Sequence, residues 1–303
     1  FQAMLLIGYL YVYLVTRFFR IRTVVLIHMV VLLPALALLP IGISAGWTPP
    51  AEGAPIPWLI ALLTVSIGLP FFAVSATAPL LQRWFVYSGH RQAHDPYFLY
   101  ASSNLGGLIA LLSYPVLIEP LFRLREQSWI WTGGYVLLIG LIGLCAIAPW
   151  HNHAVPQDTV NPVLSGLVSH VNWWQRTHWV LLAFTPSALL LAVTLHISTD
   201  VASVPFMWVV PLALYLLSFT LVFARRPILK HTWMVTIQTW LFIYLGIYFS
   251  VGHMFLVILG LHLLALFCTA MVCHGELAKQ RPVPERLTEF YLWISVGGLL
   301  GGM

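Results

Sequence analysis

Charge is what this chain has least of. Only 8% of its 303 residues are Asp, Glu, Lys or Arg, against about 25% in an ordinary soluble domain. A soluble protein of this size cannot cover its surface with so few charges. Cysteine is scarce too: Cys145, Cys268 and Cys273 all lie in or at the end of apolar runs, and no CxxC occurs. A zinc ribbon and a thioredoxin-type motif are thereby excluded. No P-loop, GxGxxG after a strand, GxSxG or HExxH is present, which removes the common nucleotide-binding and hydrolytic enzymes. There is no CxxCH, and His28, His196, His262 and His274 offer no pair with an obvious haem-holding arrangement. The expectation is a chain with no cofactor, no metal and no catalytic residue of its own.

What is present is apolar. Hydrophobic residues make up 60% of the chain, and mean hydropathy is +0.90. The apolar runs are continuous rather than alternating, which excludes an outer-membrane barrel. The fold class read from this is an all-α polytopic membrane protein whose first partner is the lipid bilayer. A bilayer core of about 30 Å needs about 20 apolar residues per helix. Ten segments qualify: 1–16, 24–46, 57–82, 97–118, 129–149, 179–197, 204–224, 232–250, 252–273 and 287–303. The chain opens and closes inside apolar runs, so it reads as truncated at both ends, with one further span expected upstream.

The basic residues alternate with these segments. Odd-numbered loops hold Arg17, Arg20 and Arg22, then Arg83 and Arg91, then Arg176, then Arg225, Arg226 and Lys230, then Lys279, Arg281 and Arg286. Only Arg123 and Arg125 lie in an even loop. The positive-inside rule therefore places the odd loops in the cytoplasm of a bacterial inner membrane. It also explains the net charge of +5 without nucleic acid as a partner. The longest polar stretch divides the chain into an N-terminal bundle (1–150), a cytoplasmic interbundle loop (151–178) and an incomplete C-terminal bundle (179–303). Prolines inside the segments, among them Pro34, Pro70, Pro79, Pro115, Pro186 and Pro211, suit either packing kinks or the broken helices of transporters. Gly106-Gly107, Gly297-Gly298 and Gly301-Gly302 are the expected close helix contacts.

Polar groups inside a membrane are costly and so mark candidate sites. Tyr97, Tyr100 and Asn104 fall on one helix face by i, i+3, i+7 spacing. Asp95 before Pro96 reads as a helix N-cap, or as the partner of Arg83 in a clamp or gate. His196 and Asp200 are i, i+4 and share a face if their helix continues. A histidine beside a carboxylate can relay protons or hold an amine, so this pair leads the substrate-binding candidates, with a polar helix end as the alternative. Glu119 is expected to pair at the interface with Arg123 or Arg125. Glu276, after a Gly275 read as a helix C-cap, and Glu289 are expected in gating or structural ion pairs; His274 with Glu276 is a weak metal pair lacking further ligands.

Several stretches resemble one family. "APLLQRW" (Ala78–Trp84), "DPYFLYASSNLGG" (Asp95–Gly107), the run from Phe184 to Phe219 and "CHGELAKQRPVPERLTEFYLWISVGGLLGG" (Cys273–Gly302) are similar to the membrane portion of bacterial fused transporter/spermidine synthase-like proteins. The opening "FQAMLLIGYLYVY" resembles that family's second span. The resemblance implies a major-facilitator-like helical domain, usually followed by an aminopropyltransferase-like domain. The Gly-rich loop and catalytic aspartate of that domain are not in this sequence, so enzyme activity is expected only from a segment beyond it. What the resemblance implies for function is a transporter-like domain handling polyamines or related organic cations. The alternative is a non-transporting anchor or accessory subunit that holds a synthase-like domain or docks on other membrane subunits.

Overall fold

The structure, a computed structural model, describes residues 2–43, 47–48, 55–151, 171–201, 206–225, 228–251 and 255–303. Among these residues all regular structure is helical. The helices are α1 (Gln2–Phe18), α2 (Ile21–Leu36), α3 (Pro55–Val86), α4 (Phe98–Leu121), α5 (Leu124–His151), α6 (Trp173–His196), α7 (Val209–Val222), α8 (His231–Val251), α9 (Phe255–Lys279) and α10 (Leu287–Gly301). Each of the ten apolar segments overlaps one of them. Five helical stretches, Pro55–Val86, Phe98–Leu121, Leu124–Trp150, Trp173–Thr199 and Leu259–Lys279, are long and apolar enough to cross a membrane.

The helix edges differ from the apolar runs for identifiable reasons. α2 stops at Leu36, well short of residue 46. Pro40 lacks the N–H a continuing helix needs, and a turn over Ala37 and Leu38 ends it. α6 starts at Trp173, six residues before its apolar run. The segment Trp173–His178, read as loop, is helix, because Trp and Arg side chains tolerate the interface. Gly275 is not a C-cap: α9 runs through it to Lys279. The proposed hairpin at Gly252-His253 and loop residues 152–170 lie outside the described residues.

Two of the long helices contain a widened π turn, Thr64–Gly68 in α3 and Tyr114–Ile118 in α4. Pro70 can neither donate to the carbonyl of Ser66 nor tolerate it nearby in regular α geometry. Pro115 lies within the second turn. A third follows α6 over Ile197–Val201.

The helices form two compact units: residues 3–94 with 118–165, and residues 95–117 with 166–303. The second takes in α4 as far as Leu117. In the first unit α2, α3 and α5 pack together around Val24, Leu32, Ala73, Ala76, Leu80, Trp84 and Ile142. α1 joins through Val12 and Val15. Gly8 makes this possible, since a Cβ there would stand 2.5 Å from Ser75 Oγ. In the second unit α6 lies against α10 and α9, α7 bridges α4 and α9, and α8 covers α9. Trp179 is fully buried, with its ring edge-on to Phe290 at 5.0 Å. The outer surfaces are apolar, as on α4 at Leu105, Ile109, Leu112 and Val116. That is the surface a hydrocarbon solvent selects.

Candidate functional site

Within each unit the loops sort to two ends. In the first unit Arg22, after α1, lies over the Trp150 ring near the end of α5. At the other end Ser128, starting α5, donates to the Ile41 carbonyl at 2.6 Å. In the second unit Arg176 reaches Glu289, and Asp95 reaches Arg281. These contacts join helix ends and loop residues that flank odd-numbered loops. At the opposite end Tyr114 of α4 meets Phe206.

The structure places the candidate residues as follows. Tyr97 is buried, and its hydroxyl donates to the Pro282 carbonyl at 2.8 Å. Tyr100 stacks on Tyr291 at 4.9 Å and meets Phe219 and Phe223 edge-on. Tyr97 also touches Phe290 and Tyr291. The tyrosine face is thus the centre of an aromatic cluster joining α4, α7 and α10. The Asn104 side-chain amide donates to the Tyr100 carbonyl one turn back, at 2.8 Å. Tyr97→Phe is expected to lower stability by about 1 kcal/mol, the worth of one buried hydrogen bond, measured by thermal unfolding in detergent.

Asp95 is not the N-cap of α4, whose first residue is Phe98 and whose N-cap position, Tyr97, makes no side-chain cap bond. Its carboxylate pairs with Arg281 Nη2 at 3.1 Å. The residue expected to hold it, Arg83, donates to the Tyr87 hydroxyl at 2.9 Å. Glu119 has no ion pair among the described residues. The carboxylate that works in its neighbourhood is Glu126, which accepts from the Arg123 backbone N–H at 2.7 Å, half of a capping box at the start of α5. Glu276 accepts from both His231 Nε2 (2.7 Å) and Lys279 Nζ (2.8 Å). Glu289 takes Arg176 at 2.7 Å and Arg286 at 3.5 Å. The ion-pair role expected of Glu276 and Glu289 is therefore what their geometry performs.

His196 closes α6, and its ring lies 4.8 Å from that of His262. Asp200 falls in the following π turn, so the α-helical i, i+4 register assumed for the pair is not kept. The Asp200 side chain is outside the described residues. His274 bonds through Nδ1 to Ser218 Oγ at 2.8 Å and stacks on Phe219, while Glu276 turns to His231. Among the described residues no three metal-ligating side chains converge.

Two features were not read from the sequence. One is a buried polar knot in the first unit. His28 Nε2 contacts Thr77 Oγ1 at 3.2 Å, and the Tyr11 and Trp84 rings flank the imidazole. Tyr11 Oη, His28 Nδ1 and Trp84 Nε1 are buried without a hydrogen-bond partner among the described residues. The other is a cavity of about 340 Å³ at the odd-loop end of the second unit. Its rim carries Arg225, Lys230, His231, Lys279, Arg281 and Asp95, and its floor includes Phe223, Met234 and Met271. Nothing in the spacing of the loop charges indicates that three loops share one hollow.

Comparison with family models, with curated proteins and with solved structures found no match.

Proposed function

We propose that this chain is the multi-pass, major-facilitator-like membrane domain of a spermidine synthase-like fusion protein in a bacterial inner membrane, with ten spans and its odd loops in the cytoplasm. The observation that carries the reading is the sorting of charge. Twelve of the fourteen Lys and Arg residues lie in odd loops, and contacts inside each unit join residues that flank odd-numbered loops. That is the arrangement the positive-inside rule produces in an up-and-down bundle. The family resemblance supplies the rest.

In this reading the domain handles polyamines or related organic cations. Proline-associated π turns in two long helices support it, since widened turns collect at functional sites. The cation site is Asp200 with His196. Tyr97 and Tyr100 are engaged in packing within the aromatic cluster, and Asn104 is bonded to its own helix. The test is uptake of labelled spermidine into proteoliposomes. Saturable uptake that falls at least tenfold in Asp200→Asn supports transport through this site. Unchanged uptake in that variant removes Asp200 from the site.

A second reading, a non-transporting anchor or accessory subunit, is favoured by the engaged carboxylates. Asp95, Glu276 and Glu289 each already hold a cation from the chain itself, which leaves them no charge for a polyamine. A folded protein that gives no saturable uptake would decide for this reading.

A further inference from the structure

The basic cavity of the second unit has the wrong sign for a polyamine. Its rim carries four permanent cations, Arg225, Lys230, Lys279 and Arg281, besides His231. Two carboxylates answer them: Asp95 holds Arg281, and Glu276 is shared between Lys279 and His231. Arg225 and Lys230 have no carboxylate partner among the described residues. Each rests instead on an aromatic face: the Arg225 guanidinium lies 3.9 Å above the Phe98 ring, and Lys230 Nζ lies 5.5 Å from the Trp233 ring. A cation–π contact orients a cation without neutralising it. The hollow therefore has an excess of about two positive charges over a floor of Phe223, Met234 and Met271.

We propose that this cavity binds a phosphate group, with Arg225 and Lys230 as its two anchoring cations. The charge excess matches a phosphate monoester, which carries about −1.5 to −2 at neutral pH. Arginine offers it a fork of donors and lysine a point charge. The cavity lies where α7, α8 and α9 end, and Trp233 and Ile228 are well exposed beside it. Basic pockets between helix ends at a cytoplasmic surface suit anionic headgroups. A soluble phosphate ester presents the same chemistry. The proposal does not depend on whether the domain transports.

The test uses the whole chain in phosphatidylcholine nanodiscs. Binding of dihexanoyl phosphatidate and of inorganic phosphate is read by thermal stabilisation, beside dihexanoyl phosphatidylcholine, a zwitterionic phosphodiester of no net charge, as the control. Saturable stabilisation by the phosphatidate is expected, weakened at least tenfold in Arg225→Gln/Lys230→Gln. If inorganic phosphate saturates the same site, the natural ligand is a soluble phosphate ester. If only the phosphatidate does, it is a lipid headgroup. Should the double variant fail to fold, Lys230→Gln alone serves, since Lys230 is an exposed rim residue; at least a threefold weakening is expected. Stabilisation by neither probe, or equal binding by native and variant proteins, overturns the proposal.

Discussion

Gly301→Leu is expected to separate α10 from α6 and leave the second unit unfolded at room temperature in mild detergent. A Cβ at Gly301 would collide with the Phe184 carbonyl and stand 2.9 Å from the Ala188 backbone N, and one at Gly297 would collide with the Val180 carbonyl. These are main-chain atoms of a regular helix, so no rotamer change relieves them. Gly297 and Gly301 are spaced i, i+4 on one face of α10, the small-xxx-small pattern that lets membrane helices touch along their backbones. Lipid tails are as apolar as the side chains, so close packing holds such a pair together. Overpacking costs about 1–3 kcal/mol where a core can adjust and more where it cannot; here the upper end or beyond is expected. Gly106→Ala is the control. Nothing lies within 4 Å of a Cβ there, and alanine is the better helix former by about 1 kcal/mol. SDS titration of the three proteins should show early unfolding for Gly301→Leu, with Gly106→Ala at or above the parent. A parent-like Gly301→Leu would mean that α6 and α10 do not cross this closely.

The second large effect is expected at the ion pair on the same two helices. Glu289 is 12% exposed and Arg176 32%. The Arg176 fork grips one carboxylate oxygen through Nη2 at 2.7 Å and Nε at 2.9 Å, with Arg286 on the other oxygen. Removing one member of a largely buried pair strands the other charge, which costs about 3–5 kcal/mol in full burial and less here because Arg176 keeps some water. Glu289→Gln should therefore lose about 2 kcal/mol. Arg176→Gln combined with Glu289→Gln should lose less than the sum of the two single changes, because Arg176 is then not stranded and only Arg286, at the longer 3.5 Å contact, loses its carboxylate. Strict additivity in that cycle would mean that the pair contributes no coupling.

The fold was legible where physics is local. Apolar run length placed all ten helices, because a helix in lipid must satisfy its own backbone. It misjudged ends that depend on single residues, such as the stop before Pro40 and the early start at Trp173. Gly297 and Gly301 were legible as contact residues. Gly106-Gly107 looked the same, yet Gly106 faces open space and Gly107 meets only Leu216 at an ordinary 3.8 Å. A glycine's spacing does not reveal whether another helix passes over it. The candidate site was legible in part. Glu276 and Glu289 pair as expected because charges at helix ends find neighbours. The Arg281 partner of Asp95 could not be read, since it is distant in sequence. The basic hollow was hidden for the same reason: its cations come from two loops far apart in sequence, one holding Arg225 and Lys230 and the other Lys279 and Arg281.

The π turns of α3 and α4 change what a helix face means. A π turn inserts one extra residue, and each residue of an α-helix advances by about 100°. The stripe of α3 that begins at Pro55 and the stripe that ends at Val86 are therefore out of phase by more than a quarter turn. Each long span acts as two half-helices joined end to end, with separate compass bearings. Residues that a single wheel drawn over the whole span puts on one side face different neighbours above and below Gly68. Any assignment of lipid-facing and protein-facing positions along α3 must restart its count there.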